Sequence, residues 1–264
     1  MGKRLKENRT MSNWSIWSYG IGGGGIKFGI LLVDFGMLFM TDYLGLKADI
    51  VAMLIAISKI FDAVTDVLGG TIIDRTRHKM GKARIWLLRM IPLMALTGIA
   101  FFFIPTGASE VVQYIYFFLS YTLFTCIFYT MWTVAHNTMS LYATGRPNER
   151  AFMSIATFAG QILLGAIVTG TYLTSVNAFG GGVNGWRMTS IVFAGIFAVT
   201  QLIYVFSIKE QNAPEETEQK EQTNVFKDLI SNVKHLVSNR YFLLQLGVMP
   251  VSYTHLTLPT MAVV

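Results

Sequence analysis

Residues 52–70 read AMLIAISKIFDAVTDVLGG, and this stretch decides the fold. It has the length and apolarity of a membrane helix, yet Asp62 and Asp66 stand in its middle, four residues apart. An Asp or Lys at the bilayer centre costs about 2.5–3.5 kcal/mol on insertion scales, so a chain that keeps two carboxylates there is expected to use them. The spacing of four puts both on one helical face. Lys59, three residues before Asp62, joins that face at i, i+3, i+7 and sets a basic group beside two acids. Such a face suits a small cation better than it suits lipid.

The rest of the chain agrees with a membrane setting. Of its 264 residues 53% are hydrophobic and only 14% charged, against about 25% charged in a soluble domain. Apolar residues collect in runs of about twenty or more, enough to cross about 30 Å of hydrocarbon as helix, and long alternating strands of a β-barrel are absent. The expected fold class is an all-α membrane protein. The formal charge of +6 comes from basic residues in short loops between apolar segments, where they act as topology signals, so no nucleic-acid partner is expected. Cys126 is the single cysteine and falls inside an apolar run, which excludes a disulfide framework and points to a small buried side chain. The amino end lacks a short apolar core with a cleavage site, so the first segment is expected to stay as a membrane helix.

Six spans are expected, at about 16–43, 49–73, 84–104, 111–142, 151–176 and 188–208. Short turns separate them, with Pro105, Gly107 and Ser109 between the third and fourth and NAFGGGVNG between the fifth and sixth. One set of loop ends carries Lys3, Arg4, Lys6, Arg9, Arg75, Arg77, Lys79, Lys82, Arg84, Arg146 and Arg150, the other only Lys47 and Arg187. That asymmetry places the amino terminus in the cytoplasm, in a multi-pass protein of the cytoplasmic (inner) membrane, with the lipid bilayer as its first partner.

Residues 1–208 therefore read as a six-helix bundle. Residues 209–224, KEQNAPEETEQKEQTN, have the composition of a solvated linker. Val225, Phe226, Leu229, Ile230, Val233, Leu236 and Val237 then recur at helical spacing, so 209–240 is expected to hold a cytoplasmic linker and an amphipathic helix. An apolar segment starts at Tyr241 and runs over 241–250 as the beginning of a seventh span. The ending VSYTHLTLPTMAVV, 251–264, is too short and too polar to complete it; it is expected to be a non-native tail on a truncated frame.

Between the second and third spans stands GGTIIDRTRHKMGKAR, residues 69–84. An acid at a helix end followed by a row of basic groups can form ion pairs that break when that side of a transporter opens, which makes Asp74, Arg75 and Lys59 candidate gating residues. The order Gly70, Asp74, Arg75, Gly81, Lys82 resembles the major facilitator signature at this place. Together with SYGIGGGGIKFG (18–29), DAVTD (62–66), YTMW (129–132) and NER (148–150), it makes the chain similar to the glycoside-pentoside-hexuronide cation symporters, the melibiose permease-like family of the major facilitator superfamily. The resemblance covers roughly residues 16–250 and implies the amino-terminal half of a twelve-helix transporter, with the carboxy-terminal half as its missing partner.

In that family the two acids of helix two, the polar residue before the second acid and a threonine of helix four line the coupling-cation site. Here these are Asp62, Asp66, Thr65 and Thr130. Carboxylates and hydroxyls are oxygen ligands for a hard cation such as Na⁺, and paired acids can also carry H⁺. The resemblance thus implies Na⁺ or H⁺ as coupling ion and no further cofactor. The charged sugar contacts of the family's best-known member are replaced by Lys27, Thr133 and Phe158, so its galactoside specificity is not implied. Other groups that could hold a hydroxyl-rich solute are Lys27, Asp34, Tyr129, Trp132, His136 and Asn137, although His136 equally fits an interhelical hydrogen bond, Trp132 fits core packing, and Lys27 and Asp34 could pair with each other.

Gly20, Gly22 and Gly25 formally satisfy G-x-G-x-x-G, but no strand precedes them, so close helix packing is the expectation here and at Gly160, Gly165 and Gly170. No HExxH motif or nucleophile-and-base pair suggests an enzyme. The expected function is symport of a small-molecule sugar or glycoside, with a non-sugar solute, or a membrane sensor or scaffold, as the alternatives.

Overall fold

The computed structural model describes residues 11–212, 238–240 and 243–244. The chain divides into two units, Met1–Glu215 and Glu216–Val264. In the second, residues 238, 240, 243 and 244 are helical. Most of the expected amphipathic helix, most of the seventh-span segment and all of 251–264 lie outside the described residues, as do Lys3, Arg4, Lys6 and Arg9.

The described residues of the first unit form a bundle of six helical rods. They are α1 (Asn13–Leu38, running on through a π turn at Phe39–Tyr43), α2 (Ala48–Arg75), α3 (Lys82–Phe101), α4 (Glu110–Ala143, with a π segment at Leu123–Tyr129), α5 (Pro147–Ala178) and α6 (Gly182–Ser207). Each rod overlaps one expected span. Five are long and apolar enough to cross a membrane. The other, α2, has 28 residues, or about 42 Å at 1.5 Å per residue, and fails on charge alone. No bilayer-length stretch of it avoids Lys59 and Asp62 together with Asp49 or Asp66.

Local chemistry sets the helix ends. Ser12 caps α1, its Oγ accepting from the Ser15 N–H at 3.1 Å. Pro147 opens α5 in its first turn, where a missing N–H does no harm. Between α5 and α6 the chain reverses through Gly180, Gly181 and Gly182 at φ 92°, 66° and 57°, a left-handed run that residues with a Cβ resist.

The glycines of α1 let helices approach closely. A Cβ on Gly20 would lie 2.5 Å from the Ala156 carbonyl oxygen, and one on Gly23 would lie 2.5 Å from Thr157 Cγ2, so α1 and α5 meet backbone to backbone. Gly22 makes room for the Tyr204 ring and Gly25 for the Gln201 amide, both on α6. Gly160 meets the Gly20 backbone in the same way, while nothing lies near Gly170. At one end of the bundle Phe39, Phe102, Tyr172 and Trp186 pack as an aromatic layer, closed by Arg187, whose Nη2 donates to the Ile104 carbonyl at 2.9 Å. The outward faces are apolar and open, with Ile60, Phe61 and Val64 on α2 and Phe158, Ile162 and Leu163 on α5. So much exposed apolar surface suits lipid or a partner, not water.

Candidate functional site

The site grows from a polar seam between α2 and α4. Ser58 Oγ lies 2.8 Å from Thr122 Oγ1, the Cys126 thiol donates to the Ser58 carbonyl at 3.1 Å, and Thr130 Oγ1 donates to Asp62 Oδ1 at 2.7 Å. On α4 the contacting residues are 122, 126 and 130. In a pure α-helix eight residues overshoot two turns by roughly 80°, which would carry Thr130 off the seam. The π segment at Leu123–Tyr129 absorbs that excess with its wider turns, so all three side chains face α2. The Thr130 hydroxyl also lies 3.1 Å from the Thr125 carbonyl, five residues back, within the same widened stretch.

Asp62 is held from both sides. Lys59 Nζ donates to its Oδ2 at 2.9 Å while Thr130 holds Oδ1, and its side chain is 22% exposed against 56% for Lys59. The Thr65 hydroxyl is turned back on its own helix, 2.9 Å from the Asp62 carbonyl oxygen, which leaves its lone pairs available. Asp66, one turn further on, is exposed.

These groups open on a cleft of ≈360 Å³ among α1, α2 and α4. Lys59, Asp62 and Asp66 form one wall, Asp34 faces them from α1, and Tyr121, Phe124, Tyr129, Thr130 and Thr133 complete it from α4. The seam and the cleft thus bring together Asp62, Asp66, Thr130, Lys59, Asp34 and Tyr129 from the residues expected to act. A carboxylate with a charge-assisted bond on each oxygen, beside a second carboxylate, can exchange one cation for another.

The remaining candidates lie elsewhere. The stem of Lys27 runs against Gly165 on α5, where a Cβ would come within 3.0 Å of Lys27 Cγ, and it makes no ion pair with Asp34 among the described residues. Trp132 and His136 are buried in the core rather than on the cleft: their rings stack 5.1 Å apart, Tyr19 stacks on His136 at 4.2 Å, and His136 Nδ1 lies 3.1 Å from the Tyr204 hydroxyl. Both readings that set them aside as packing and interhelical bonding describe this arrangement. Asn137 is exposed and off the cleft lining.

Asp74 and Arg75 end α2 at the opposite end from the aromatic layer. Asp74 Oδ1 takes the Tyr142 hydroxyl at 3.5 Å, the outer limit of a hydrogen bond. Two other acids organise this end, and sequence reasoning gave neither a role. Glu210, just past α6, accepts from the N–H groups of Lys82, Ala83 and Arg84 at 2.9, 2.8 and 2.8 Å, and so caps α3. The two N–H groups after it, of Gln211 and Asn212, both donate to the Tyr142 carbonyl, which fastens this segment to the bundle. Glu149 is buried, accepts from the Met11 N–H at 3.1 Å and takes the Thr144 hydroxyl. The only sequence signal for Glu149 was its place in NER, and for Glu210 there was none, because its three donors lie more than 120 residues away.

Comparison with known proteins supplies the context. Residues 18–263 match the family described as MFS/sugar transport protein. The chain is 30% identical over 216 residues to the isoprimeverose transporter of Lactiplantibacillus pentosus, covering 77% of this chain and 43% of that protein. It is 31% identical over 144 residues to the putative glycoside/cation symporter YagG of Escherichia coli K12, covering 54% and 31%. To the sodium-dependent lysophosphatidylcholine symporter 1 of Mus musculus it is 21% identical over 259 residues, covering 86% and 48%. The chain spans less than half the length of each of these relatives.

Proposed function

Because this chain belongs to the MFS/sugar transport protein family, we propose that it forms the amino-terminal half of a symporter that couples Na⁺ or H⁺ to uptake of a sugar or glycoside. The family is one of membrane transporters, not of enzymes. The observation that carries the reading is the Asp62 carboxylate, held by Thr130 and Lys59 on the wall of a cleft that also bears Asp66.

In this reading a cation settles on Asp62 and Asp66, with the hydroxyl oxygens of Thr130 and Thr65 to complete an oxygen shell. Cation binding neutralises the face, which favours solute in the cavity and lets the two halves rock about it, the solute site lying between the halves near mid-membrane. Asp34 and Tyr129, both on the cleft, are the first candidates to touch the solute, while Lys27, Trp132, His136 and Asn137 lie off its lining. At the cytoplasmic end Asp74 and Arg75 act as the gate. The loop charges put the amino terminus in the cytoplasm, 209–240 connects the halves on that side, and 241–250 starts the seventh span.

A second reading, a non-sugar solute, draws support from Asp34, a carboxylate facing the cleft from α1, and from the lysophosphatidylcholine symporter among the relatives. Counterflow of labelled solutes in membrane vesicles carrying this chain joined to its carboxy-terminal half separates the two. Cation-stimulated exchange of a sugar or glycoside is the expected result. Exchange of non-sugar solutes alone would move the reading to the second, and exchange of none would favour a sensor or scaffold.

A further inference from the structure

Each oxygen of Asp62 is engaged once from within the chain, Oδ1 by the Thr130 hydroxyl and Oδ2 by the Lys59 ammonium, while Asp66, one turn on, makes no hydrogen bond or ion pair among the described residues. The ammonium of Lys59 is itself a compact, hard, monovalent cation on a flexible four-carbon stem. More than half of its side chain is exposed at the cleft, so it can swing away without unpacking a core.

We propose that Lys59 is a tethered stand-in for the coupling cation: it sits on Asp62 when the site is unloaded and leaves when the cation binds. This rests on the reading of Asp62 and Asp66 as the cation site. Two bare carboxylates at membrane depth would resist passage through any closed, dehydrated state. With Lys59 on Asp62 one of the two charges is cancelled, so the unloaded site can recross at lower cost. When a cation enters between Asp62 and Asp66, the ammonium would stand beside a like charge at contact distance, and it is repelled toward the open cleft. Lys59 therefore lowers cation affinity and speeds the return of the empty carrier. An aliphatic or amide residue there cannot do both.

The site lies wholly on α2 and α4, so the chain itself can be tested by titrating Na⁺, with Li⁺ as a second probe, into purified protein. The glutamine variant K59Q is expected to bind the cation about tenfold more tightly than the parent. The arginine variant K59R, whose planar fork grips a carboxylate more firmly, is expected to bind several-fold more weakly. In vesicles carrying this chain joined to its carboxy-terminal half, K59Q should retain exchange between loaded carriers but lose most net cation-driven uptake. Unchanged or weaker Na⁺ affinity in K59Q overturns the proposal; if K59Q fails to fold, unchanged affinity in K59R does so. Equal titration of the parent and D62N would instead remove the cation site itself, and the role of Lys59 with it. Should the parent show no Na⁺ signal, K59Q is expected to reveal one, and silence in both overturns the role of Lys59, while the cation site itself stands or falls on the gradient-driven accumulation of D62N and D66N.

Discussion

Thr130 donates to Asp62 across 68 residues of sequence, 2.7 Å from helix four to helix two, and it reaches that carboxylate only because α4 widens into a π segment just before it. The bond holds Asp62 in one orientation and leaves the threonine oxygen beside the carboxylate, where an incoming cation needs a second ligand. Removing the hydroxyl at nearly constant shape isolates that contribution. The variant T130V is expected to weaken cation binding about tenfold, equivalent to about 1.4 kcal/mol, whereas T130S stays close to the parent. Cation titration of the two variants checks it; equal weakening in both would mean that the methyl group, not the oxygen, matters.

The carboxylate of Glu210 serves stability at the other end of the molecule. With three N–H groups of α3 resting on it, E210A should cost about 0.5–2 kcal/mol, the range of a lost helix cap. Thermal unfolding in detergent reads this as a lower midpoint, and E210Q should recover part of the loss because its amide oxygen still accepts. A midpoint unmoved in E210A would show that solvent replaces the cap.

Two glycines on the α1–α5 side should behave in opposite ways. G20L would drive a side chain into the Ala156 backbone and is expected to abolish folded protein, while G170A meets nothing within 4 Å and should leave yield and midpoint unchanged. Size-exclusion profiles of the two variants in detergent decide it.

Much of this architecture was legible in the sequence because membrane helices announce themselves by length and apolarity, and the charges of α2 announce themselves by their cost. Asp62, Asp66, Lys59 and Thr130 came from spacing and from a family pattern, and the structure sets three of them in direct contact. The π segment was not legible: LFTCIFY carries nothing that distinguishes it from ordinary helix, and only the alignment of Thr122, Cys126 and Thr130 on α2 reveals why it is there. Nor could periodicity tell a cleft residue from a core residue on α4. Trp132 and Tyr129 lie three apart on one helix, yet one is sealed beneath His136 and the other faces the cleft. The contacts of Glu149 and Glu210 depend on which helix ends meet, which no local pattern encodes.

Asp34 separates the solute from the cation. If it touches the solute, D34N should shift the solute KM about tenfold or more, the scale of one hydrogen bond to a charged group, and leave Na⁺ affinity unchanged. Solute exchange at saturating cation by this chain joined to its carboxy-terminal half, beside cation titration without solute, gives both numbers. A matching shift in Na⁺ affinity would assign Asp34 to the cation instead.

The central claim is that Asp62 and Asp66 together hold the coupling cation. Cation-driven solute accumulation in vesicles carrying D62N or D66N in this chain joined to its carboxy-terminal half, with membrane insertion verified by immunoblot, tests it most directly. The account predicts that each variant inserts normally and loses accumulation driven by a Na⁺ or H⁺ gradient. Accumulation at the parent level in both variants would contradict it.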